Sequence, residues 1–463
     1  MEDKGKFKSN FGFLMATIGS AVGLGNIWGF PFKMGKNGGF AFLVIYIILA
    51  VIIGYCIMLG EISFGRKQEK AAIEAYRKLD SKFTFNGWIN TLTPLILICF
   101  YCTLGGYCLK YTVANFGNIF NASWGTLGVE SGDFFGGFIS DTWQAIIYGL
   151  IFLAITIVVV LGGVSGGIEK FSVIAMPALF VMLIVVIIRS VTLPGAMDGI
   201  AFMFKPDWSV FHGSGWITVL AAAGGQMFFS LSISSGCIIA YGSYLNKSEN
   251  LEKNSAIIII ADTVVAILAG IAVMPAVFAF GLEPDAGPSL LFVTLQTVFN
   301  SMGGFGALFG FIFYFLVLIA ALTSSVGMLE GAVSAFMDEQ VRKGKNPSRN
   351  FVTILIGIWA CLGSTLVSAD ALGGGGLPHI LGFDTWLDTF DLFAEGFLMP
   401  LGGLFMVVIL GWLKPGFLDD EIKLGSSFGS KSFFYFCIKF LAPIFLIFIL
   451  IGQLNGFFNW GLF

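Results

Sequence analysis

Eleven apolar stretches divide this chain, each near or above the roughly 20 residues that a helix needs to cross a bilayer. They lie near 11–35, 40–65, 86–116, 143–163, 168–189, 215–243, 255–281, 305–337, 350–368, 386–413 and 432–456. The third and eighth are long enough to predict tilt or extension beyond the bilayer. Segment 288–299 is too short to span and reads as a loop helix. Composition agrees, with 57% hydrophobic residues, 11% charged and a mean hydropathy of +0.89. A soluble chain of 463 residues needs far more polar surface than that. The fold class is therefore all-α polytopic membrane protein, with 1–463 as a single transmembrane domain and the lipid bilayer as its surroundings. No basic face or run exists, which argues against a nucleic-acid partner. Nothing in the sequence sets an oligomeric state.

The residue types for soluble-enzyme chemistry are scarce. Seven cysteines fall inside apolar stretches, an odd count that argues against a disulfide framework. Cys99 and Cys102 match C-x-x-C, but with no second pair they read as small apolar filler. His212 and His379, the only histidines, sit in loop-like segments. The charged start runs into the first stretch without a small-residue cleavage site, so no signal peptide is expected. Lys and Arg placement predicts orientation. With a cytoplasmic N-terminus, the inside segments hold nineteen of the 25 basic residues, grouped at 4–8, 66–82, 342–349 and 414–431 with Lys170, Lys247 and Lys253. The outside loops 117–142, 282–304 and 369–385 carry no Lys or Arg, but do carry Glu130, Asp133, Glu283, Asp285, Asp370 and Asp384. The expected location is the inner (plasma) membrane, with the C-terminus outside.

Two stretches are interrupted. The first reads Ile18-Gly-Ser-Ala-Val-Gly-Leu-Gly-Asn-Ile-Trp-Gly-Phe-Pro31, and the sixth reads Gly224-Gly-Gln-Met-Phe-Phe-Ser-Leu-Ser-Ile-Ser-Ser-Gly236. Glycine in a membrane helix often means only close packing. Two broken helices five spans apart, each with polar side chains at the break, point instead to a five-plus-five inverted repeat. Its halves would cover about 11–190 and 214–413, with an extra helix at about 431–456. Unwound backbone is tolerable at membrane depth only where something satisfies it. A half-helix that ends there offers carbonyls to Na⁺, and one that begins there offers N–H groups to a carboxylate. Oxygen ligands for a hard cation are available in Asn26, Ser230, Ser232 and the cluster Ala320-Ala-Leu-Thr-Ser-Ser325. Asp262 in span 7 is the sharpest candidate, because a membrane carboxylate is functional by default. Its bland reading is a protonated, hydrogen-bonded acid, or a helix that starts later than assigned. The hydroxyl run could likewise bond its own helix backbone.

These residues resemble the bacterial branch of the neurotransmitter:sodium symporter family, which has the leucine-transporter fold. The landmarks are Gly19-Ser-Ala-Val-Gly-Leu-Gly-Asn-Ile-Trp28 with Phe30-Pro31, Asn37-Gly-Gly39, Glu61 with Gly65-Arg66, and Gly167-Ile-Glu-Lys-Phe171. Met176-Pro177, Gln226-Met-Phe-Phe229, Tyr241-Gly-Ser-Tyr244 and Leu322-Thr-Ser-Ser325 complete them. The resemblance implies 11 transmembrane helices and two sodium sites. Site one would use Ala21, Asn26, Ser230, the substrate carboxylate and Asp262. Site two would use Gly19, Val22, Ala320, Thr323 and Ser324. Tyr101 with the Leu24 and Gly25 amides would hold the substrate carboxylate. Ala21 and Phe229 carbonyls with Ser232 would hold its ammonium. Leu97, Leu104, Phe229, Ser235, Gly327 and Met328 match side-chain pocket positions, and Ser230 and Ser324 border the substrate.

Departures from the family pattern bear on the gates. The basic residue usual two places before Pro31 is Gly29, although Asp391 remains, and Lys33 one turn later is a candidate replacement. At the inner gate, Lys4 and Phe7 stand where Arg and Trp are common, with Tyr244 and Asp338 retained. A fixed carboxylate at Asp262 implies that chloride is not required. The expected function is sodium-coupled symport of a neutral amino acid by alternating access, with a large apolar or aromatic substrate favoured. The rival with the same fold is a proton-coupled carrier in which Asp262 titrates. A channel would need a continuous polar path, and the serines cluster at one depth. An enzyme would need a nucleophile with a base, and Ser324 has no histidine near.

Overall fold

The computed structural model describes residues 6–213, 215–284, 290–458 and 460–462. Lys4 and Asp285 therefore lie outside the described residues. Among these residues the fold is all helical. Nine helices are long and apolar enough to cross a membrane: Phe40–Gln68, Ser81–Ile119, Thr142–Leu161, Val164–Val191, Leu251–Ala279, Gly303–Arg342, Arg349–Gly373, Trp386–Leu413 and Lys431–Phe458. These are spans 2–5 and 7–11. Span 1 is a bent pair, Asn10–Ala21 (1a) and Gly25–Lys36 (1b), with a 48° angle between its halves. Span 6 consists of Gly215–Leu231 (6a) and Cys237–Ser243 (6b).

The apolar lengths thus mark each span to within a few residues, and the differences lie at the ends. Spans 3 and 8 run 39 and 40 residues. At 1.5 Å per residue each approaches about 60 Å, twice the ~30 Å of a hydrocarbon core, so both project into water. The two pack against each other, and span 3 is 83% buried over its apolar window, against 33% for spans 4, 5 and 11. Span 3 is therefore the most enclosed of the long helices, spans 2, 7, 8 and 10 are intermediate at 56–61%, and spans 4, 5 and 11 form the most exposed rim. The short helix foreseen at 288–299 is Leu290–Ser301. Three further helices, Ala72–Leu79, Ser131–Ser140 and Ala196–Phe204, lie in segments whose sequence reads only as loop. Seven free thiols account for the cysteines.

The two breaks are built differently. Span 1a ends where Val22 turns extended (ψ 105°), and the Gly23 N–H is capped 3.0 Å away by Asn26 Oδ1. A π-helical turn, Gly25–Gly29, opens 1b and runs directly into its α-helical part, Phe30–Lys36, with Pro31 the second residue of that part. In span 6 the chain leaves the helix through Ser232, Ser234 and Gly236, at φ 51°, 59° and 72°. Serine reaches that left-handed region only at a cost. The cost is offset from outside: both carboxylate oxygens of buried Glu61 accept from the Ser234 N–H at 3.1 Å. The breaks also meet, because Ser232 Oγ donates to the Ser20 carbonyl at 2.9 Å.

Candidate functional site

Where 1b, 6a and spans 2 and 7 converge, three fully buried polar side chains close on one buried carboxylate. Asn26 Nδ2 donates to Asp262 Oδ1 at 2.8 Å, to the Asp262 carbonyl at 3.2 Å and to Ser230 Oγ at 2.9 Å. Ser230 Oγ donates to Asp262 Oδ2 at 2.8 Å, and Tyr46 from span 2 donates to the same oxygen at 3.2 Å. No Lys or Arg among the described residues pairs with Asp262. Hydrogen bonds thus satisfy its oxygens, with no basic side chain among the described residues beside them. Asn26 joins this cluster to the break itself, since its Oδ1 caps Gly23. Tyr46 was not foreseen, because a tyrosine in the apolar run of span 2 carries no local signal.

A second group of oxygens lies between 1a and span 8. Thr323 Oγ1 donates to the Ile319 and Ala320 carbonyls of its own helix at 3.1 and 3.0 Å, the backbone bonding that the hydroxyl run also allowed. A methyl group on Gly19 would lie 3.1 Å from Thr323 Cβ, so the two helices touch there. The last carbonyls of a helix have no intrahelical donor, which leaves the end of 1a (Ala21, Val22) rich in acceptors. Ser324 stands one residue on, against Gly23.

Gly23 is also the point where the first break meets spans 3 and 8. A Cβ at that position would come 2.6 Å from the Tyr101 hydroxyl and 2.8 Å from Ser324 Cβ. Tyr101 accepts from the Leu24 N–H at 3.1 Å. The Phe229 ring lies over Gly25, with 3.0 Å to a would-be Cβ. Ser235 Oγ donates to the Ser232 carbonyl at 2.6 Å, and Leu97, Leu104 and Met328 are buried in the same core. Gly327 sits against Ser20 of span 1a, 2.1 Å from a would-be Cβ, so its smallness also serves helix packing.

On one side of this centre, Phe7 packs on Tyr241 and Tyr244 with ring centroids 5.7 and 6.4 Å apart. Tyr244 donates to Glu330 at 2.7 Å, and Arg349 of span 9 pairs with the same carboxylate. Asp338 instead accepts from the Ala71 N–H at 2.8 Å and from Lys70 at 3.3 Å. On the other side, Lys33 pairs with Glu395 of span 10 rather than with Asp391, one turn earlier. The space beside Gly29 is taken by Gln226, whose Nε2 donates to the Gly25 carbonyl at 2.7 Å. Glu395, Glu330, Arg349 and Gln226 add partners that the sequence reading did not assign to the gates.

With two broken helices meeting at a buried carboxylate, comparison with known proteins becomes specific. The profile of the sodium:neurotransmitter symporter family matches residues 4–130 and 139–460. The chain belongs to that family. Among its relatives, the uncharacterized sodium-dependent transporter YhdH of Bacillus subtilis is 35% identical, over 97% of this chain and 98% of its own. An uncharacterized sodium-dependent transporter of Haemophilus influenzae is 31% identical over the same shares. The crystal structure of MhsT in complex with L-phenylalanine superposes with a TM-score of 0.88 at 34% identity, covering 97% of this chain and 99% of that one. This symporter is thus a multi-pass membrane protein of the leucine-transporter fold and of a sodium-coupled transporter family.

Proposed function

We propose that the protein carries a neutral, large apolar or aromatic amino acid across the inner membrane, driven by two sodium ions, with its N-terminus cytoplasmic and its C-terminus outside. The observation that carries this reading is the Asn26–Ser230–Asp262–Tyr46 cluster, held at the contact of both breaks. Sodium there, beside the substrate carboxylate, would let each charge offset the desolvation of the other, which is the physical origin of coupling. The second ion would be held by Gly19, Val22, Ala320, Thr323 and Ser324. Two charges moving with a zwitterion draw about 4.6 kcal/mol from each 100 mV of membrane potential. That is more than three decades of concentration. Tyr101, Leu24 and Gly25 would receive the carboxylate, and Ala21, Phe229 and Ser232 the ammonium. Leu97, Leu104, Phe229 and Met328 make the surroundings apolar, and the related MhsT structure holds L-phenylalanine. Asp262 supplies a fixed negative charge, so chloride is not needed.

The test is binding of radiolabelled amino acids to purified protein, with Na⁺ exchanged for K⁺ at constant pH. Phenylalanine-like substrates should bind in sodium alone, with or without chloride. Tightest binding of glycine or a charged amino acid would reject the substrate class. Equal binding in both cations would favour the proton-coupled alternative, with Asp262 as the titrating group.

A further inference from the structure

Outside the transport centre, a groove of about 790 Å³ opens on the periphery between spans 3 and 9. Its walls include Leu95 and Ile96 from span 3 and Leu355 and Leu362 from span 9. Leu355 and Leu362 are more than half exposed, so none of the described residues covers them. At its inner end the helices lock together. Trp359 Nε1 donates to the Leu95 carbonyl at 2.9 Å, and a Cβ on Gly363 would come 2.2 Å from Cys99 Sγ. At its outer end the rim turns polar, with Gln340, Lys345, Asn346 and Ser348. From Arg349 to Leu362 the groove follows span 9 for about 20 Å, at 1.5 Å per residue. One leaflet of hydrocarbon is about 15 Å deep. The shape is that of one leaflet's lipid with its headgroup region, not that of a compact solute.

The charge at the rim decides the kind of lipid. Four basic residues lie in the 342–349 segment. Arg342 and Lys343 pair with Glu339, at 2.8 and 3.1 Å, and Arg349 pairs with Glu330. Lys345 alone among them is exposed with no carboxylate partner among the described residues. It stands at the mouth beside the amide and hydroxyl donors of Gln340, Asn346 and Ser348, a set suited to a phosphate oxygen. Basic sites between membrane helices take anionic headgroups. We infer that this groove is a binding site for an anionic phospholipid, its phosphate at Lys345 and an acyl chain along Leu95, Ile96, Leu355 and Leu362. A second copy of the chain, or another apolar helix, would fill the walls but leave Lys345 without a counter-charge.

The experiment is native mass spectrometry of the full-length protein, released from mixed vesicles of phosphatidylglycerol and phosphatidylcholine in equal amounts. The wild type should retain one lipid, phosphatidylglycerol over phosphatidylcholine by about fivefold or more. Lys345→Gln, a change at an exposed side chain, should abolish the preference while leaving the melting temperature unmoved. Ile96→Trp should displace the lipid itself. Retention without headgroup preference, or a preference unchanged in Lys345→Gln, would overturn the site. So would a retained mass equal to a second protein chain. None of these readouts depends on which solute the protein transports.

Discussion

The break in span 1 and the break in span 6 reach the same result by opposite means. Span 1 opens at small residues, and no side-chain-bearing residue between 18 and 31 adopts a left-handed conformation. One side chain, Asn26, both caps the freed Gly23 amide and reaches the buried carboxylate. Span 6 opens at serines, two of them left-handed, and Glu61 of span 2 holds the second, Ser234, from outside. The first break is self-contained and joined to the ion cluster. The second is held by a neighbour at Ser234, while its Ser232 faces the first break. Span 1 should therefore be intolerant at the atoms that touch ion and substrate, and span 6 at the atoms that touch Glu61.

The largest effect follows for Asn26→Leu. It removes the Gly23 cap and the three hydrogen bonds to Asp262 and Ser230 together. Hydrogen bonds to charged groups contribute about 1.5–3 kcal/mol each. Sodium-dependent amino acid binding should weaken by about 100-fold or more, measured by scintillation proximity. Unchanged affinity in a folded mutant would mean that the cluster is not an ion site.

Gly23→Ala should come next. Its methyl would press on Tyr101 and Ser324, at 2.6 and 2.8 Å, within the part of the break that faces the substrate. Amino acid affinity should fall about tenfold or more, with the sodium dependence of stability retained. A mutant that binds normally would show that Tyr101 and Ser324 yield without loss, and would separate Gly23 from the pocket.

These cases also show what could be read from the chain alone. The spans follow from apolar length, though not their exact ends, and Asn26, Ser230 and Asp262 stand out because polar atoms are rare at that depth. Tyr46 does not, since a phenol within an apolar run is ordinary and only the packing of span 2 on span 7 gives it a role. Glu395 was missed for a geometric reason. Span 10 is π-helical over Leu392–Leu398, and the wider turn changes which carboxylate faces Lys33. The family pattern selects Asp391 instead. The lip of the groove at Lys345 is equally invisible, because it takes the pairings of Arg342, Lys343 and Arg349 to leave one cation over.

Span 1 is also fastened at its outer end, and this provides a sharper contrast. Lys33→Met would leave Glu395 buried without its cation, whereas Asp391→Asn leaves the Lys33–Glu395 pair in place. Uptake into proteoliposomes should drop about fivefold in Lys33→Met and less than twofold in Asp391→Asn. A reversed pair, Lys33→Glu with Glu395→Lys, should recover part of the loss. The opposite ranking would return the gate to Asp391.

The smallest effect is predicted for Ser234→Gly, and it tests the span 6 side of the contrast. Ser234 holds φ 59°, a region that glycine enters freely, and its backbone N–H, not its side chain, meets Glu61. Its buried hydroxyl makes no hydrogen bond among the described residues, so deleting it removes an unsatisfied group. Relief of the left-handed strain, about 1–2 kcal/mol, works against the extra freedom that glycine gives the unfolded chain, about 0.5–1 kcal/mol. The melting temperature should hold or rise slightly, and amino acid affinity should stay within about threefold. Should Ser234→Gly fold normally yet lose sodium-dependent binding, the hydroxyl would have to meet ion or substrate during the cycle. Ser234 would then belong to the site and not to its scaffold.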